Sequence, residues 1–291
     1  MIKSMTGYGL ATNDFARAKY TVEIKSLNSK FLELSLKIPK SFSDKEFLLR
    51  NECSKQIERG KVNISISVEY AETTLKTSSI SQPLLKHYYD QLKASAIELG
   101  DTGSNLLQMA LNFPEVVQYG ADEATEDEWK TLYKTFEEAL VNFQNFRQNE
   151  GNVLKQDLIL RINNILEGMI LISEQEPNRI PLIRERLNHF LEEAVGRVNV
   201  DNNRFEQELI YYIDKLDITE EKIRLKSHCD YFIEALKNKD ANGKKLGFIS
   251  QEIGREINTM GSKANDAKMQ QMVVGMKEEL EKIKEQLLNV L

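Results

Sequence analysis

From about Glu126 to Glu174, apolar side chains recur at three- and four-residue spacing, led by Trp129, Leu132, Tyr133, Phe136, Leu140 and Phe143. That period belongs to a helix with one buried stripe, and the run is too long for an ordinary globular helix. It predicts an extended hairpin or arm with these rings in its core. Pro177 and Pro181 should break it, with a further helix over Leu182–Val195. The chain ahead of this run reads differently. Tyr20, Val22 and Ile24, then Leu32, Leu34, Leu36 and Ile38, then Val62, Ile64, Ile66, Val68 and Tyr70 each alternate with polar neighbours, the mark of half-buried strands. A weaker strand is expected around Met5–Ala11. A helix capped by Ser41 or Ser43 should run through Phe47, Leu48, Cys53 and Ile57 to a stop at Gly60. Beyond Thr77 the strand signal disappears, and Pro83–Leu99 and Leu106–Leu111 read as helix. The expected fold is therefore α+β, with an N-terminal antiparallel-sheet α+β domain over residues 1–80, a long helical arm over 81–200 and a C-terminal helical domain over 201–291.

Charge is distributed unevenly over this plan. The 291 residues carry a net charge of −6, which argues against indiscriminate nucleic-acid binding. Residues 1–70 hold 12 Lys and Arg against 8 Asp and Glu, a net of +4, so the remainder carries −10. An anionic polymer would meet the N-terminal part first, and a cation the C-terminal part. Cys53 and Cys229 lie in different elements with no metal-binding spacing, so both are expected as buried free thiols. No apolar run reaches the roughly 20 residues that cross a bilayer, and no signal-peptide core follows Met1, so a cytoplasmic protein without a membrane partner is expected.

The densest polar signal is Gly243–Asp266. Leu246, Phe248, Ile249, Ile253 and Ile257 supply one helical stripe, while Gln251, Glu252, Arg255, Glu256 and Asn258 load the rest of the surface. Glu252 and Glu256 share a face. Gly261 stands where a helix would end and Ser262 where the next would be capped, so Asn258–Ser262 reads as a corner. Upstream, one continuous helix over Arg204–Leu236 would align Asp217, Glu221, Arg224 and His228 down one face. The competing reading, which is preferred, splits this segment at Asp217-Ile218-Thr219-Glu220, a capping-box pattern.

Gln251-Glu252-x-x-Arg255-Glu256-x-Asn258-Thr259-x-Gly261-Ser262-Lys263 resembles the C-terminal signature of the YicC/YloC family of bacterial proteins. Met5-Thr6-Gly7-Tyr8, Ser26-Leu27-Asn28 with Phe31-Leu32-Glu33, Arg147-Gln148-Asn149-Glu150-Gly151, and Gln207-Glu208 through Asp217–Glu221 to Ser227-His228 are similar to the same family. The matches run in order through nearly the whole chain. The resemblance implies a metal-dependent endoribonuclease working on RNA as a ring-like homo-oligomer, with a hexamer as the expected size. Lys25 and Lys30 stand where family members often place arginine, which keeps the charge but loses bidentate phosphate geometry.

The residues narrow the chemistry in their own right. A metal-free cut in RNA usually draws on histidine, and of three histidines His87 and His189 sit in helical runs without a carboxylate-rich neighbourhood, leaving His228. Carboxylates are plentiful, and hard oxygen ligands suit Mg²⁺ or Mn²⁺, so metal-assisted phosphodiester hydrolysis of single-stranded RNA is the preferred reading. The candidate catalytic residues are His228, Glu252 and Glu256, and the candidate metal ligands are Asp214, Asp217, Glu221, Glu252 and Glu256. Lys25, Asn28, Lys30, Arg59, Lys61, Asn258 and Lys263 are the candidate RNA contacts. The alternative is a non-catalytic RNA-binding scaffold that delivers RNA to another nuclease. Arg147 and Glu150 are expected to pair on a helix surface, whereas Gly151 inside a helix calls for a close crossing or a ligand. Finally, Met269, Val273, Met276, Leu280, Ile283, Leu287 and Val290 keep heptad spacing, a seam that wants a partner helix from another copy or from the same chain.

Overall fold

A computed structural model describes residues 2–16, 18–70, 78–100, 102–119, 124–195, 202–238 and 243–291. Four strands, β1 (Gly7–Phe15), β2 (Ala18–Leu27), β3 (Leu32–Lys37) and β4 (Gly60–Tyr70), form one sheet in the order β1-β2-β4-β3. The alternating pattern places Tyr20, Val22, Ile24, Val62, Ile64 and Ile66 on the inner face, where all are buried. β1 to β2 and β2 to β4 are antiparallel, but β3 and β4 are parallel. The expectation of a wholly antiparallel sheet is corrected there. Helix α1 (Glu46–Gln56) lies between β3 and β4 in the chain, and a helical crossover returns the second strand in the same direction as the first. Neither Ser41 nor Ser43 caps α1, because a 3-10 turn over Lys40–Lys45 precedes it and Ser43 Oγ donates to the Lys40 carbonyl inside that turn, 3.0 Å.

β structure does continue past residue 77. β5 (Ser78–Ile80) pairs with β6 (Val117–Tyr119) around α2 (Gln82–Leu99) and α3 (Leu106–Leu111). Three residues per strand are too few for alternation to register.

The spine is α4 (Glu126–Val195), a single helix of 70 residues, about 105 Å long at 1.5 Å per residue. Leu132, Phe136, Ala139, Leu140 and Phe143 pack beneath the sheet, while Leu158, Ile162, Ile165 and Ile172 join a second core with the C-terminal helices. Trp129 and Tyr133, expected in the core, are only partly buried at its edge. Pro177 and Pro181 lie inside the helix and do not break it. Arg179, between them, explains the tolerance: its guanidinium donates to the carbonyls of Leu216 (2.8 Å), Lys263 (3.0 Å) and Ala264 (3.4 Å), so neighbouring elements hold this turn. Ile183 then packs with Phe205 and Leu209 of α5 (Asn202–Leu216) in a small cluster of its own.

α6 (Thr219–Lys237), α7 (Gly243–Ala264) and α8 (Ala267–Leu287) complete the chain. The preferred split between α5 and α6 is what the structure holds. The predicted corner at Asn258–Ser262 is not, since α7 runs on to Ala264. Gly261 serves close packing instead, because an added Cβ would lie 3.0 Å from Val273 Cγ1 of α8. The corner falls at Asn265, whose φ is 44°, and Asp266 caps α8 by accepting from Met269 N, 2.9 Å. The heptad seam of α8 is covered within the chain: Met269, Val273, Met276, Leu280, Ile283 and Leu287 are all buried in the core shared with α4 and α7.

Residues 2–6 clasp the two cores together. Arg147 is buried and donates through Nε to the Ser4 carbonyl, 2.6 Å, with its guanidinium over the Phe143 ring. Glu150 accepts from Thr6 Oγ1, 2.8 Å. The expected surface pair of Arg147 with Glu150 is thus replaced by two separate bonds to this segment. Gly151 is the crossing point, where an added Cβ would run into the Ile2 carbonyl. The C-terminal residues close the same joint, with Leu291 N on Lys3 O, 3.0 Å, and Met5 N on Asn289 O, 2.9 Å.

Two measurements check this architecture. Gly151→Ala forces the Ile2 backbone away from α4, and we expect a loss of about 1–3 kcal/mol in chemical denaturation, the usual effect of overpacking. Glu279 of α8 accepts from Lys282 (2.6 Å), Asn164 (3.0 Å) and Arg161 (3.2 Å), the last two on α4. Those bonds, Lys282 first, hold its carboxyl down at about 2 against an ordinary 4.5. A depressed folded pKa gives stability that is present above the unfolded value and lost as pH falls through the folded one. Glu279→Gln should therefore be less stable than the parent at neutral pH, and the gap should close between about pH 4.5 and pH 2.

Candidate functional site

α6 and α7 form an antiparallel pair. Lys263, near the end of α7, donates from Nζ to Glu221 Oε1 (2.8 Å) in the first turn of α6 and to the Asp217 carbonyl (3.0 Å). At the other end Lys245 of α7 lies over the Tyr231 ring of α6, 5.1 Å from its centre. This alignment settles where the candidate residues stand. His228 lies seven residues beyond Glu221, and Glu256 seven before Lys263. Seven residues are close to two turns, so His228 and Glu256 stand at corresponding places about 10 Å along the pair from the Glu221–Lys263 bridge. His228 is half-buried and Glu256 buried, 4% exposed. Among the described residues neither side chain makes a hydrogen bond or ion pair. Glu252, one turn before Glu256, is exposed and 4.0 Å from Arg255.

The remaining carboxylates are spread out. Asp214 is exposed on α5. Asp217 accepts from Thr219 Oγ1 (2.7 Å) and Thr219 N (3.1 Å), bonds that hold its carboxyl below the usual range, the hydroxyl first. The capping box does not form: α6 begins at Thr219 with Ile218 as its N-cap, one residue later than the box required, and Glu220 pairs forward with Arg224 at 2.5 Å. Glu221 is 5% exposed, with Oε1 taken by Lys263 and Oε2 buried without a hydrogen bond. Among the described residues no three His, Cys, Asp or Glu side chains converge to hold a metal ion. A cage built by one protomer alone does not fit these positions, and an ammonium 2.8 Å from Glu221 repels a cation there. Glu252 and Glu256 fit a different mode, in which Mg²⁺ keeps several waters and takes one or two carboxylates plus substrate phosphate.

The candidate RNA contacts divide as well. Asn28 Nδ2 donates to the Leu288 carbonyl (2.7 Å) and Arg59 Nη2 to the Val290 carbonyl (2.8 Å), so both tie down the C-terminal segment. Lys263 is committed to Glu221. Lys25 pairs with Glu23 at 2.7 Å and its ammonium lies 5.8 Å from the Tyr8 ring centre, while Lys30 lies 5.5 Å from that of Phe31. Lys61 on β4 and Asn258 on α7 are exposed. Sequence reasoning missed the polar junction beside the site, where Lys222 of α6 pairs with Glu176 of α4 and Arg179 caps the ends of α5 and α7. Pro177 and Pro181 could have signalled it, since a helix that keeps two prolines needs outside support.

Comparison with known proteins places both parts of the chain in one family. A family model described as "Endoribonuclease YicC-like, N-terminal region" matches residues 2–156, and one described as "Endoribonuclease YicC-like, C-terminal" matches 172–291. The chain belongs to the YicC family. It is 30% identical over 292 residues to a protein of Clostridioides difficile (strain 630) named "Probable endoribonuclease YicC", covering all of both chains. A protein of the same name from Haemophilus influenzae (strain ATCC 51907 / DSM 11121 / KW20 / Rd) is 30% identical over 295 residues, again over both full lengths. The C-terminal YicC-like region therefore contains the whole α6–α7 pair. No helix among the described residues is long and apolar enough to cross a membrane.

The Lys263–Glu221 bridge can be tested apart from chemistry. Lys263→Met leaves a buried carboxylate unpaired, and we expect a loss of about 2–4 kcal/mol in chemical denaturation, discounted from the fully buried case because Lys263 still reaches water. Affinity for RNA should change by less than about threefold if the ammonium is committed to Glu221; a steep loss of affinity with unchanged stability would return Lys263 to the RNA contacts.

Proposed function

We infer that this YicC-family chain is an endoribonuclease that cuts single-stranded RNA at the α6–α7 pair, around Glu256 and His228. One observation carries the reading. Glu256 on α7 and the half-buried His228 on α6 stand at corresponding places along the helix pair, and neither side chain has a hydrogen-bond partner among the described residues. A carboxylate and an imidazole left without partners are free to accept and to give a proton when a substrate binds. The relatives named "Probable endoribonuclease YicC" supply the substrate class.

In the proposed cut, a water oxygen attacks phosphorus and the bond from phosphorus to the leaving ribose oxygen breaks. Glu256 accepts the water's proton, and His228 in its charged form gives a proton to the leaving oxygen. Glu252 and Glu256 are the side chains that would hold a hydrated Mn²⁺ or Mg²⁺, and that ion would supply Lewis-acid stabilisation of the charge developing on phosphate. Asp217 and Glu221 are bound elsewhere, so they act as supports of the helix pair in this reading.

A homo-oligomer, with a hexamer as the expected size, belongs to the same proposal. Its support is the family resemblance, since the α8 seam that suggested a partner copy is filled by the chain's own α4 and α7. Light scattering that shows a monomer at micromolar concentration would remove it.

The decisive experiment uses labelled RNA with purified parent, Glu256→Gln, Glu252→Gln and His228→Ala. We expect Glu256→Gln and His228→Ala to cut at least about a hundredfold more slowly while binding RNA as the parent does. Parent cleavage should be lost in EDTA and restored by Mn²⁺. RNA bound but never cut, with any divalent ion, would leave a delivery scaffold as the function. Parent-rate cutting by both variants would move the centre away from α6 and α7.

A further inference from the structure

The outer face of the N-terminal sheet is open. α1 and α4 cover the inner face, while outward-pointing residues of all four strands are exposed. Strand register places Tyr8 opposite Lys25, Lys25 opposite Asn63, and Asn63 opposite Ser35, so a single row crosses the sheet as ring, ammonium, amide and hydroxyl. Tyr8 is 38% exposed. Its hydroxyl, and the side chains of Asn63 and Ser35, have no hydrogen-bond partner among the described residues. Lys61 stands on the next row of the same face, and Lys30 with the exposed Phe31 ring lies in the loop at that end.

We propose that this face is a platform for unpaired RNA bases, with Tyr8 stacking on a base, Asn63 and Ser35 bonding its edge, and Lys25 and Lys61 holding the flanking phosphates. The proposal rests on the endoribonuclease reading and adds how the substrate is held. Its chemistry selects the occupant. A duplex offers its phosphates first and calls for dense cations, whereas this face mixes polar and apolar side chains with a few ammonium groups. An aromatic ring beside a lysine suits the π-face of any base and the charge that follows it. Glu23 is taken up by Lys25, and Glu33 accepts from Ser29 at 3.2 Å, which tempers the two carboxylates near the row. The assignment also replaces two expected contacts: Asn28 and Arg59 hold the C-terminal segment, so base contact passes to Tyr8 and Asn63.

Binding is measured in EDTA so that substrate stays whole, with a fluorescent oligouridine and with an abasic ribose-phosphate oligomer of the same length. The proteins are the parent, Tyr8→Leu, Tyr8→Phe, Asn63→Ala and the pair Lys25→Glu with Lys61→Glu. We expect Tyr8→Leu to bind oligouridine about tenfold more weakly with an unchanged salt slope, and the abasic oligomer as the parent does. Tyr8→Phe should keep parent affinity, Asn63→Ala should lose severalfold on oligouridine alone, and the lysine reversals should weaken both ligands and flatten the salt dependence. Should Tyr8→Leu fail to fold, the exposed Asn63→Ala still decides the matter. Equal binding of oligouridine by parent, Tyr8→Leu and Asn63→Ala overturns the platform, and so does a change confined to oligomer size, which would make the face an interface between copies. The endoribonuclease reading survives either result if the parent still binds and cuts RNA. A parent that binds no RNA removes both.

Discussion

Ile2 and Lys3 pass over α4 at Gly151, and the two halves of the molecule are joined through that contact. Ile2 is buried in the C-terminal core, yet β1 begins a few residues later and leads into the sheet. The backbone can come this close to a helix only where the helix has no side chain, which accounts for a glycine where alanine would otherwise favour the helix by about 1 kcal/mol. Arg147 and Glu150 then hold the crossing chain from either side by its carbonyl and hydroxyl. Because α4 is continuous through both cores, the clasp sets the sheet relative to the C-terminal helices without an interface of its own.

The second joint is electrostatic. Three helices end or begin around Arg179, and the exposed carbonyls at the ends of α5 and α7 carry partial negative charge that a buried guanidinium neutralises. Lys222 with Glu176 and Lys263 with Glu221 flank it, so each cation has an oxygen partner and the network is close to neutral. This is the outside support that lets Pro177 and Pro181 stay in a helix, where each removes a backbone bond. Without Arg179, those prolines and two helix ends would be left together with unmatched polar groups.

How much of this was legible in the sequence follows from what each signal reports. Strands of six or more residues, the long helical stripe and the split at Asp217 were readable because periodicity and capping are local. The parallel pairing of β3 with β4 was readable in principle from the helix between them. Position-specific tertiary demands were not. Gly261 looks like a helix end and is a contact with Val273; Arg147 and Glu150 look like a surface pair and are each committed to residues 4–6; Pro177 and Pro181 look like breaks and are held by Arg179. In all three cases a local preference was overridden by a contact with a residue more than ten positions away, which for the prolines is Arg179's bonding to Leu216, Lys263 and Ala264. The same limit applies to the site. Glu221 and Lys263 were legible as polar candidates, but only the antiparallel pairing of α6 with α7 shows that they satisfy each other.

That pairing also separates the two levels of the helix pair by role. Glu221 with Lys263 and Glu256 with His228 occupy equivalent places two turns apart, and all four belong to the segments that carry the family resemblance. At the first level an ammonium on a flexible stem reaches across and closes a 2.8 Å bond. At the second the short, rigid imidazole does not bond to the Glu256 carboxylate. An ammonium on a long stem makes a good strut, whereas an imidazole has two ring nitrogens that can give or accept a proton. The closed level holds the helices in register, and in the proposed cut the open level supplies the groups that accept and give a proton at the phosphate ester. Because the strut lies two turns from the open pair, α6 and α7 can stay locked in register during the proton transfers that this proposal assigns to Glu256 and His228.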